Sequence, residues 1–483
     1  MAKRTLLLLC VFAMLVTGCS PATSSPAPDD QPIVEADIQE VTEVVEAWPG
    51  EEWQVADSPE QLGWSSGKLA RVYEYADQIG SAALMIVEGG VVVDTWGDIE
   101  RNYKCHSMRK SLLSALYGIY AEQGKIELGA TLEELGIDER EPLSEAEKRA
   151  TVQDLLMARS GVYLRAAGES DSMAAKRPER GSHPSGTFWY YNNWDFNALG
   201  TIFDQLSGEQ NIYQAFKKRI ADPLGMQDYK PKRNYTYASY SRHPYYDFRM
   251  STRDLARFGL LFLREGRWGD AQVVPAAWVS ESTASQSERQ AGGGYGYMWW
   301  TGTAEGVFPH VYIDGHAYWA WGYNAHLVLV LPHLDLVIVH REDTDQTNPS
   351  LISESNLGVL LWYLLDAAGV DTIGDPPSTI EMAPGERLTT DRILSVFSGS
   401  TLSRQDAAGL VEAVFDADAG LALYLDGQQV AAGSWLAEDD QLCVEFDDPQ
   451  LAGGCDRIVL DEGLVRLYGP DGILKEEYTY QQD

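Results

Sequence analysis

Cysteine is scarce: five residues in a chain of 483, too few for a fold held together by disulfides. Basic residues are also few, 37 Lys and Arg against 72 Asp and Glu, for a formal net charge of −35. A surface that negative repels a phosphate backbone instead of releasing its counterions, so nucleic acid is excluded as an expected partner. Motifs with a fixed mechanism are missing as well. The chain has no His-Glu-x-x-His, Cys-x-x-Cys, Gly-x-x-x-x-Gly-Lys-Ser/Thr or Gly-x-Gly-x-x-Gly, so zinc protease, P-loop and dinucleotide chemistry lack their residues. No repeat of solenoid period occurs. What is present, 45% hydrophobic residues, is enough for a sizeable core and for two or more packed units, which excludes disorder throughout.

The N-terminus reads as an address. Lys3 and Arg4 precede an apolar run from Leu6 to Val16, too short to span a bilayer comfortably and followed by small residues. The junction Val16-Thr17-Gly18-Cys19 resembles the lipobox of bacterial lipoproteins. That resemblance implies a signal peptide over 1–18, acylation of Cys19 and an exported chain anchored to a membrane of the cell envelope. Residues 19–52 are rich in Pro and Ser, then acidic, and contain no Lys or Arg. They cannot bury a core and are expected to form a flexible tether.

Folded sequence is expected from Trp53. The runs Leu84 to Val87 and Val91 to Val93 flank Glu88-Gly89-Gly90 as a β-hairpin, and Leu327 to Leu331 and Leu336 to Val339 flank Pro332-His333-Leu334-Asp335 as a second. Between them, from about Ser111 to Leu263, helical periodicity dominates, with Leu112, Leu113, Leu116 and Tyr117 on one stripe and Leu255, Phe258, Leu260 and Leu261 on another. A helix near Leu351 to Ala368 closes the unit. Strands at both ends of a helical insertion predict one mixed α/β (α+β) domain, 53–374, with a sheet assembled from both ends. After Asp375-Pro376-Pro377, residues 375–483 show short strand-like runs with turns such as Asp426-Gly427 and Asp471-Gly472, predicting a small all-β domain. Its two cysteines, Cys443 and Cys455, are expected to pair in an exported chain.

Two nucleophile motifs compete. Gly63-Trp64-Ser65-Ser66-Gly67 has the letters of a nucleophile elbow, but its polar, Pro-containing lead-in Ser58-Pro59-Glu60-Gln61-Leu62 supplies no buried strand. Ser-x-x-Lys occurs twice. At Ser65 to Lys68 a serine most simply caps the following helix. Ser107-Met108-Arg109-Lys110 instead precedes the apolar helix Leu112 to Ile119, which puts a hydroxyl at the positive end of the helix dipole and an amine one turn on along the same face. A desolvated lysine can take the serine proton as a neutral base.

Further segments keep a fixed order: Thr151-Val152-Gln153-Asp154-Leu155-Leu156 with Ser160-Gly161, Tyr190-Tyr191-Asn192-Asn193 ahead of Leu199-Gly200, Ser251-Thr252-Arg253-Asp254-Leu255-Ala256-Arg257-Phe258-Gly259, Tyr295-Gly296-Tyr297-Met298-Trp299-Trp300, and Ala320-Trp321-Gly322-Tyr323 entering the Leu327 strand. Together with Ser107-x-x-Lys110 they resemble the serine β-lactamase/DD-peptidase superfamily over roughly Trp53 to Gly369. The nearer resemblance is to its class C-like branch with esterases and 6-aminohexanoate-dimer hydrolases. It implies a β-lactamase-like fold and a covalent acyl-enzyme. By resemblance, Ser107 is the nucleophile, Lys110 its proton acceptor and Tyr191 the phenol that passes the proton toward the leaving group. Asn193 is expected to brace Lys110 or the substrate, and the backbone N–H groups of Ser107 and Tyr323 to form the oxyanion hole. Both Tyr190 and Tyr191 fit the Tyr-x-Asn pattern; spacing to Gly186-Thr187 and Leu199-Gly200 favours Tyr191, with Tyr190 a packed neighbour.

The third segment departs from that pattern. Ala320 stands where a β-lactamase has the lysine that holds a substrate carboxylate, and Trp300-Thr301-Gly302 matches only the last two letters. Ester or amide cleavage of a small-molecule or peptide acyl substrate is therefore expected over efficient penicillin hydrolysis. The alternatives are an envelope protein that binds cell-wall peptide, or a DD-peptidase or β-lactamase proper. No metal or organic cofactor is implied, and the oligomeric state is open. Gly322 is expected to let the strand approach the substrate. His316, Trp319, Trp321, Tyr323 and His326 are expected to cluster beside it, with Trp321 and Tyr323 lining a pocket for an apolar acyl group. His106 and Cys105 are expected to be structural, and His183 is a candidate for the cleft.

Overall fold

The computed structural model describes residues 47–481 apart from 289–292, 303–307, 310, 312–314, 347–351, 371–385, 407–408, 439–440, 449–452, 462–463 and 469–473. The signal segment, Cys19, most of the tether, the 374/375 boundary and the Asp471-Gly472 turn lie outside the described residues. Among those that are described, no helix is long and apolar enough to cross a membrane.

Five helices and one sheet position the site: α1 (Ser66–Gln78), α2 (Arg109–Glu122), α3 (Asn193–Leu206), α4 (Thr252–Leu263) and α5 (Glu354–Ala367). The strands are β1 (Ala83–Glu88), β2 (Val91–Gly97), β3 (Ser287–Glu288), β4 (Gly294–Tyr295), β5 (Trp300–Gly302), β6 (Ala317–Gly322), β7 (His326–Leu331) and β8 (Leu336–Arg341). They form an antiparallel sheet in the order β2-β1-β8-β7-β6-β5-β4-β3. Both expected hairpins, β1/β2 and β7/β8, are present, and β1 pairs with β8 in the register Met85↔Val339, so the two ends of the domain do meet in one sheet.

Both faces of the sheet are covered, which is why its central strands read as continuous apolar runs rather than alternating ones. Leu84, Ile86, Leu327, Leu329 and Ile338 face one core with Leu69 and Val72 of α1 and Leu357, Leu360 and Leu364 of α5. Their chain neighbours Met85, Val87, Val328, Val330, Val337 and Val339 face the other, larger core with α2, α3 and α4. Gly259 lets α4 lie close on the sheet, because a methyl group there would sit 2.5 Å from Val337 Cγ1. Ser65 accepts a hydrogen bond from the Lys68 backbone N–H and caps α1, and Lys68 pairs with Asp366 of α5 at 2.8 Å, so the first Ser-x-x-Lys is structural.

Three sequence expectations need correction here. Residues 111–263 are less helical than expected: between α2 and α4, apart from α3, only short helices such as Val152–Leu156 and Ile212–Phe216 interrupt long irregular runs, in a stretch punctuated by Pro142, Pro178, Pro184, Pro223 and Pro231. The stripe read for α2 is only part of its contact surface, since twelve residues from Arg109 to Tyr120 are all buried; a helix enclosed on all sides carries little amphipathic signal. Finally, residues 48–51, read as part of a tether, make contacts with the domain that follows. Trp48 packs edge-on against Trp268 with ring centroids 5.5 Å apart, and the carbonyls of Gly50 and Glu51 accept hydrogen bonds from Arg257 at 3.0 and 2.9 Å.

The C-terminal region is all-antiparallel in its pairing, as expected. Eight strands from Ser400–Asp406 to Leu474–Gln481 follow one another around a ring closed by pairing of the last with the first, in the register Leu402↔Tyr480. A helix the sequence reading missed, Thr390–Phe397, puts Ile393, Val396 and Phe397 into its core beside Phe415 and Trp435. Cys443 and Cys455 face each other on adjacent strands and are disulfide-bonded.

Candidate active site

Ser107 lies in a single 3-10 turn, His106–Met108, that runs directly into the N-terminus of α2. Lys110, in the first turn of that helix, points back to it: its Nζ lies 2.8 Å from Ser107 Oγ and 2.5 Å from Tyr191 Oη. Tyr191 comes from the extended segment ahead of α3, whose N-terminus is capped by Asn192 accepting from the Trp194 N–H. Lys110 is 2% exposed and sits over the rings of Tyr191 and Phe196 at 4.2 and 4.6 Å. Burial, and then the adjacent Arg109 guanidinium, hold its ammonium well below the usual lysine range. Burial also pushes the Tyr191 phenol up to about 12. A neutral amine joined to a serine hydroxyl and a protonated phenol can take a proton from one and pass one through the other.

The opposite side of the site is the end of β6. Gly322 pairs with His326 across the turn to β7 and packs on the nucleophile segment: a methyl group at Gly322 would lie 2.7 Å from the Cys105 carbonyl oxygen. Ser107, Tyr191, Gly322 and Tyr323 all line one cleft of about 770 Å³. Its other walls are largely aromatic, with Phe188, Trp189, Tyr190, Trp300, Phe308 and Trp321.

Residues 68–350 match the family model described as Beta-lactamase. The chain belongs to the beta-lactamase family. Members of this family are serine hydrolases. Among solved structures, the octameric penicillin-binding protein homologue from Pyrococcus abyssi is similar over 86% of this chain and 99% of its own, at 15% identity and a TM-score of 0.50, which supports the fold. A Bacillus anthracis protein proposed to be a 6-aminohexanoate-dimer hydrolase is similar over 61% of this chain and 80% of its own, at 19% identity and a TM-score of 0.47. A penicillin-binding protein homologue from Caulobacter crescentus is similar over 58% and 93%, at 14% identity and a TM-score of 0.44. No curated protein matches the chain.

Within this beta-lactamase-family site, several sequence-stretch expectations are sharpened or reversed. Tyr190 does not reach Lys110; its hydroxyl donates to the Met173 carbonyl at 2.9 Å while its ring faces the cleft. Asn193 does not brace Lys110. Its Nδ2 donates to the Gly168 carbonyl at 2.9 Å and its Oδ1 is buried without a hydrogen-bond partner; as the first residue of α3 its side chain ties down the 168–173 loop instead. Trp321 lines the cleft, 5.1 Å from Phe308 and 6.3 Å from Trp300 between ring centroids. Tyr323, one residue past the end of β6, is 60% exposed on the rim and packs on His106 at 5.5 Å.

The expected aromatic and imidazole cluster divides. His316 packs on Tyr318 at 5.5 Å, and both line a different cavity from the cleft. His326 is buried behind the strand end, where its Nδ1 accepts from Arg341 Nε at 3.0 Å. His183 stacks on Phe188 at 4.0 Å and is not itself part of the cleft lining. His106 is structural: burial, with nearby cations, holds it down to about 3, and its Nε2 lies 2.7 Å from Thr344 Oγ1. The Cys105 thiol is fully buried and pushed up to about 12 by that burial, so it is no nucleophile.

Four contributors escaped the sequence reading. Trp300, read as the end of the Tyr295 segment and as part of a false Lys-Thr-Gly but given no role, stacks on Tyr191 at 5.2 Å. Lys176 and Glu354 bring one charge of each sign to the cleft, and nothing in their sequence context signals it. Arg109 was noted only as a letter within Ser-x-x-Lys, yet it is 0% exposed. Among the described residues, no group of three or more His, Cys, Asp and Glu side chains is placed to hold a metal ion.

Proposed function

We propose that this protein hydrolyses ester or amide bonds of substrates with an apolar acyl group, through an acyl-enzyme on Ser107. The observation that carries this reading is the continuous contact of Ser107, a buried Lys110 and Tyr191 at the wall of an aromatic cleft. Ser107 Oγ attacks the carbonyl carbon as Lys110 takes its proton, and the backbone N–H groups of Ser107 and Tyr323 hold the oxyanion. The tetrahedral intermediate collapses, and the leaving group departs with a proton delivered through Tyr191 from Lys110. Water, deprotonated by the same pair, then attacks the acyl ester and frees the acid and Ser107.

Ala320 favours esters and amides over penicillins. It is 1% exposed within the core, so the position offers no cation to a substrate carboxylate. A chromogenic cephalosporin is expected to turn over at least about tenfold more slowly than p-nitrophenyl esters, the cost of losing one charge-assisted hydrogen bond; faster cephalosporin turnover contradicts this reading. The nucleophile is tested with a fluorophosphonate probe. Labelling of the wild type and its loss in Ser107→Ala support the enzyme, whereas no labelling of the folded wild type favours an envelope protein that binds without cleaving. We further propose export and acylation at Cys19; an unmodified Cys19 in the mass spectrum of the mature protein contradicts it.

A further inference from the structure

Among the described residues, Arg109 is a buried cation with no carboxylate in direct contact. It is 0% exposed. One guanidinium nitrogen donates to Asn197 Oδ1 at 3.2 Å, while Nε and the other terminal nitrogen are buried without a hydrogen-bond partner. Among the described residues no carboxylate lies within ion-pair distance, and the buried Asp247 acts on the guanidinium only from farther away; the guanidinium carbon sits 4.3 and 4.1 Å from the ring centroids of Tyr245 and Tyr246. Arg109 reaches Asn197 and Lys110 reaches Phe196, adjacent residues of α3, so both cations are turned toward the same stretch of that helix.

We propose that Arg109 is a positioning residue acting through Lys110: it keeps a positive charge that no contacting carboxylate neutralises near the amine, so that the base of the Ser107 reaction stays unprotonated. The two tyrosine faces suit that task. They attract the guanidinium through their ring quadrupoles but carry no net charge, whereas a carboxylate in their place would cancel the field felt at Lys110. The other groups facing Lys110 do not supply the effect. Ser107 and Tyr191 are neutral hydrogen-bond partners, and Phe196 offers a ring face that favours the protonated amine. The buried carboxyl of Asp247, 3.7 Å from Lys104 Nζ, also acts in the opposite sense to Arg109.

This inference rests on the Ser107 acyl-enzyme reading, and the rate of fluorophosphonate labelling across pH tests it in the intact protein. In the wild type, labelling rises with pH as Lys110 loses its proton. Arg109→Met is expected to move that rise upward by about one pH unit or more, with labelling recovered at high pH. Asn197→Asp leaves the arginine in place and puts a carboxylate on it, so it is expected to move the rise in the same direction. Asp247→Asn is expected to move it downward. A uniform loss at every pH in Arg109→Met, or an unmoved profile in Asn197→Asp or Asp247→Asn, overturns the proposal, and the last two decide it if Arg109→Met does not fold. If the wild type does not label at Ser107 at all, it is the acyl-enzyme reading that fails.

Discussion

Gly322 and Cys105 approach so closely that a methyl group on the glycine would lie 2.7 Å from the Cys105 carbonyl oxygen and 2.9 Å from His326 Cβ. The contact joins the last residue of β6 to the backbone two residues before Ser107, so it sets the spacing between the two sides of the site. Gly322→Ala must push the strand away from the nucleophile turn. We expect kcat on an activated ester to fall by about 10²-fold with KM changed far less, the pattern of a damaged oxyanion site. Steady-state kinetics on protein with a wild-type circular dichroism spectrum checks this; an unchanged kcat would show that the strand end is not part of the machinery.

The two adjacent tyrosines should separate in function. Tyr191→Phe removes the hydroxyl 2.5 Å from Lys110 Nζ and is expected to cost about 10²- to 10³-fold in kcat. Tyr190→Phe removes a hydrogen bond to the Met173 carbonyl and is expected to change kcat by less than about threefold, with a stability loss of about 1 kcal/mol. Paired kinetics and thermal melts distinguish them, and equal losses in kcat would reject the assignment.

Selectivity for the acyl group should follow the aromatic wall. Trp321 contacts Phe308 and Trp300 within the cleft, so Trp321→Ala removes apolar surface a long or aromatic acyl chain would cover. We expect kcat/KM for such p-nitrophenyl esters to fall by about tenfold or more, while acetate esters change little. A loss that is equal for short and long acyl groups would place the tryptophan outside the acyl-binding surface.

Stability of the C-terminal region should depend on redox state, and chemistry should not. Cys443 and Cys455 close a loop of sequence separation 12, so replacing both by Ser is expected to cost about 2–3 kcal/mol. Calorimetry with and without reductant measures the shift. Ser107 labelling of the double variant at low temperature is expected to match the wild type; a large drop would couple the barrel to the cleft.

The formal charge illustrates what position adds to composition. Of the formal net charge of −35, residues 1–19 carry +2, residues 20–52 carry −9 and residues 375–483 carry −16, which leaves −12 for residues 53–374. The acidity therefore concerns solubility and spacing more than substrate choice. Within the site, the aromatic lining and the charges of Lys176 and Glu354 bear on the substrate directly.

The sequence by itself determined whatever is encoded over a few residues. The two hairpins follow from apolar runs broken by turn residues, and the Ser107 and Lys110 pairing follows from one helical turn. The structural role of Ser65 follows from the helix it caps. Only the tertiary structure decided the contacts made across long separations. Lys110 meets Tyr191 over 81 residues and Arg109 meets Asn197 over 88; motif spacing could favour Tyr191 over Tyr190, but no local period records which face of a helix buried all round will be turned toward such a partner. Asn193 shows the same limit from the other side: its type and spacing fit a brace for Lys110, but packing of the 168–173 loop claims its amide first. Electrostatics depends on that packing most of all, since only enclosure moves the Lys110 ammonium well below its usual range and decides that Arg109 and Asp247 both act on it, in opposite senses.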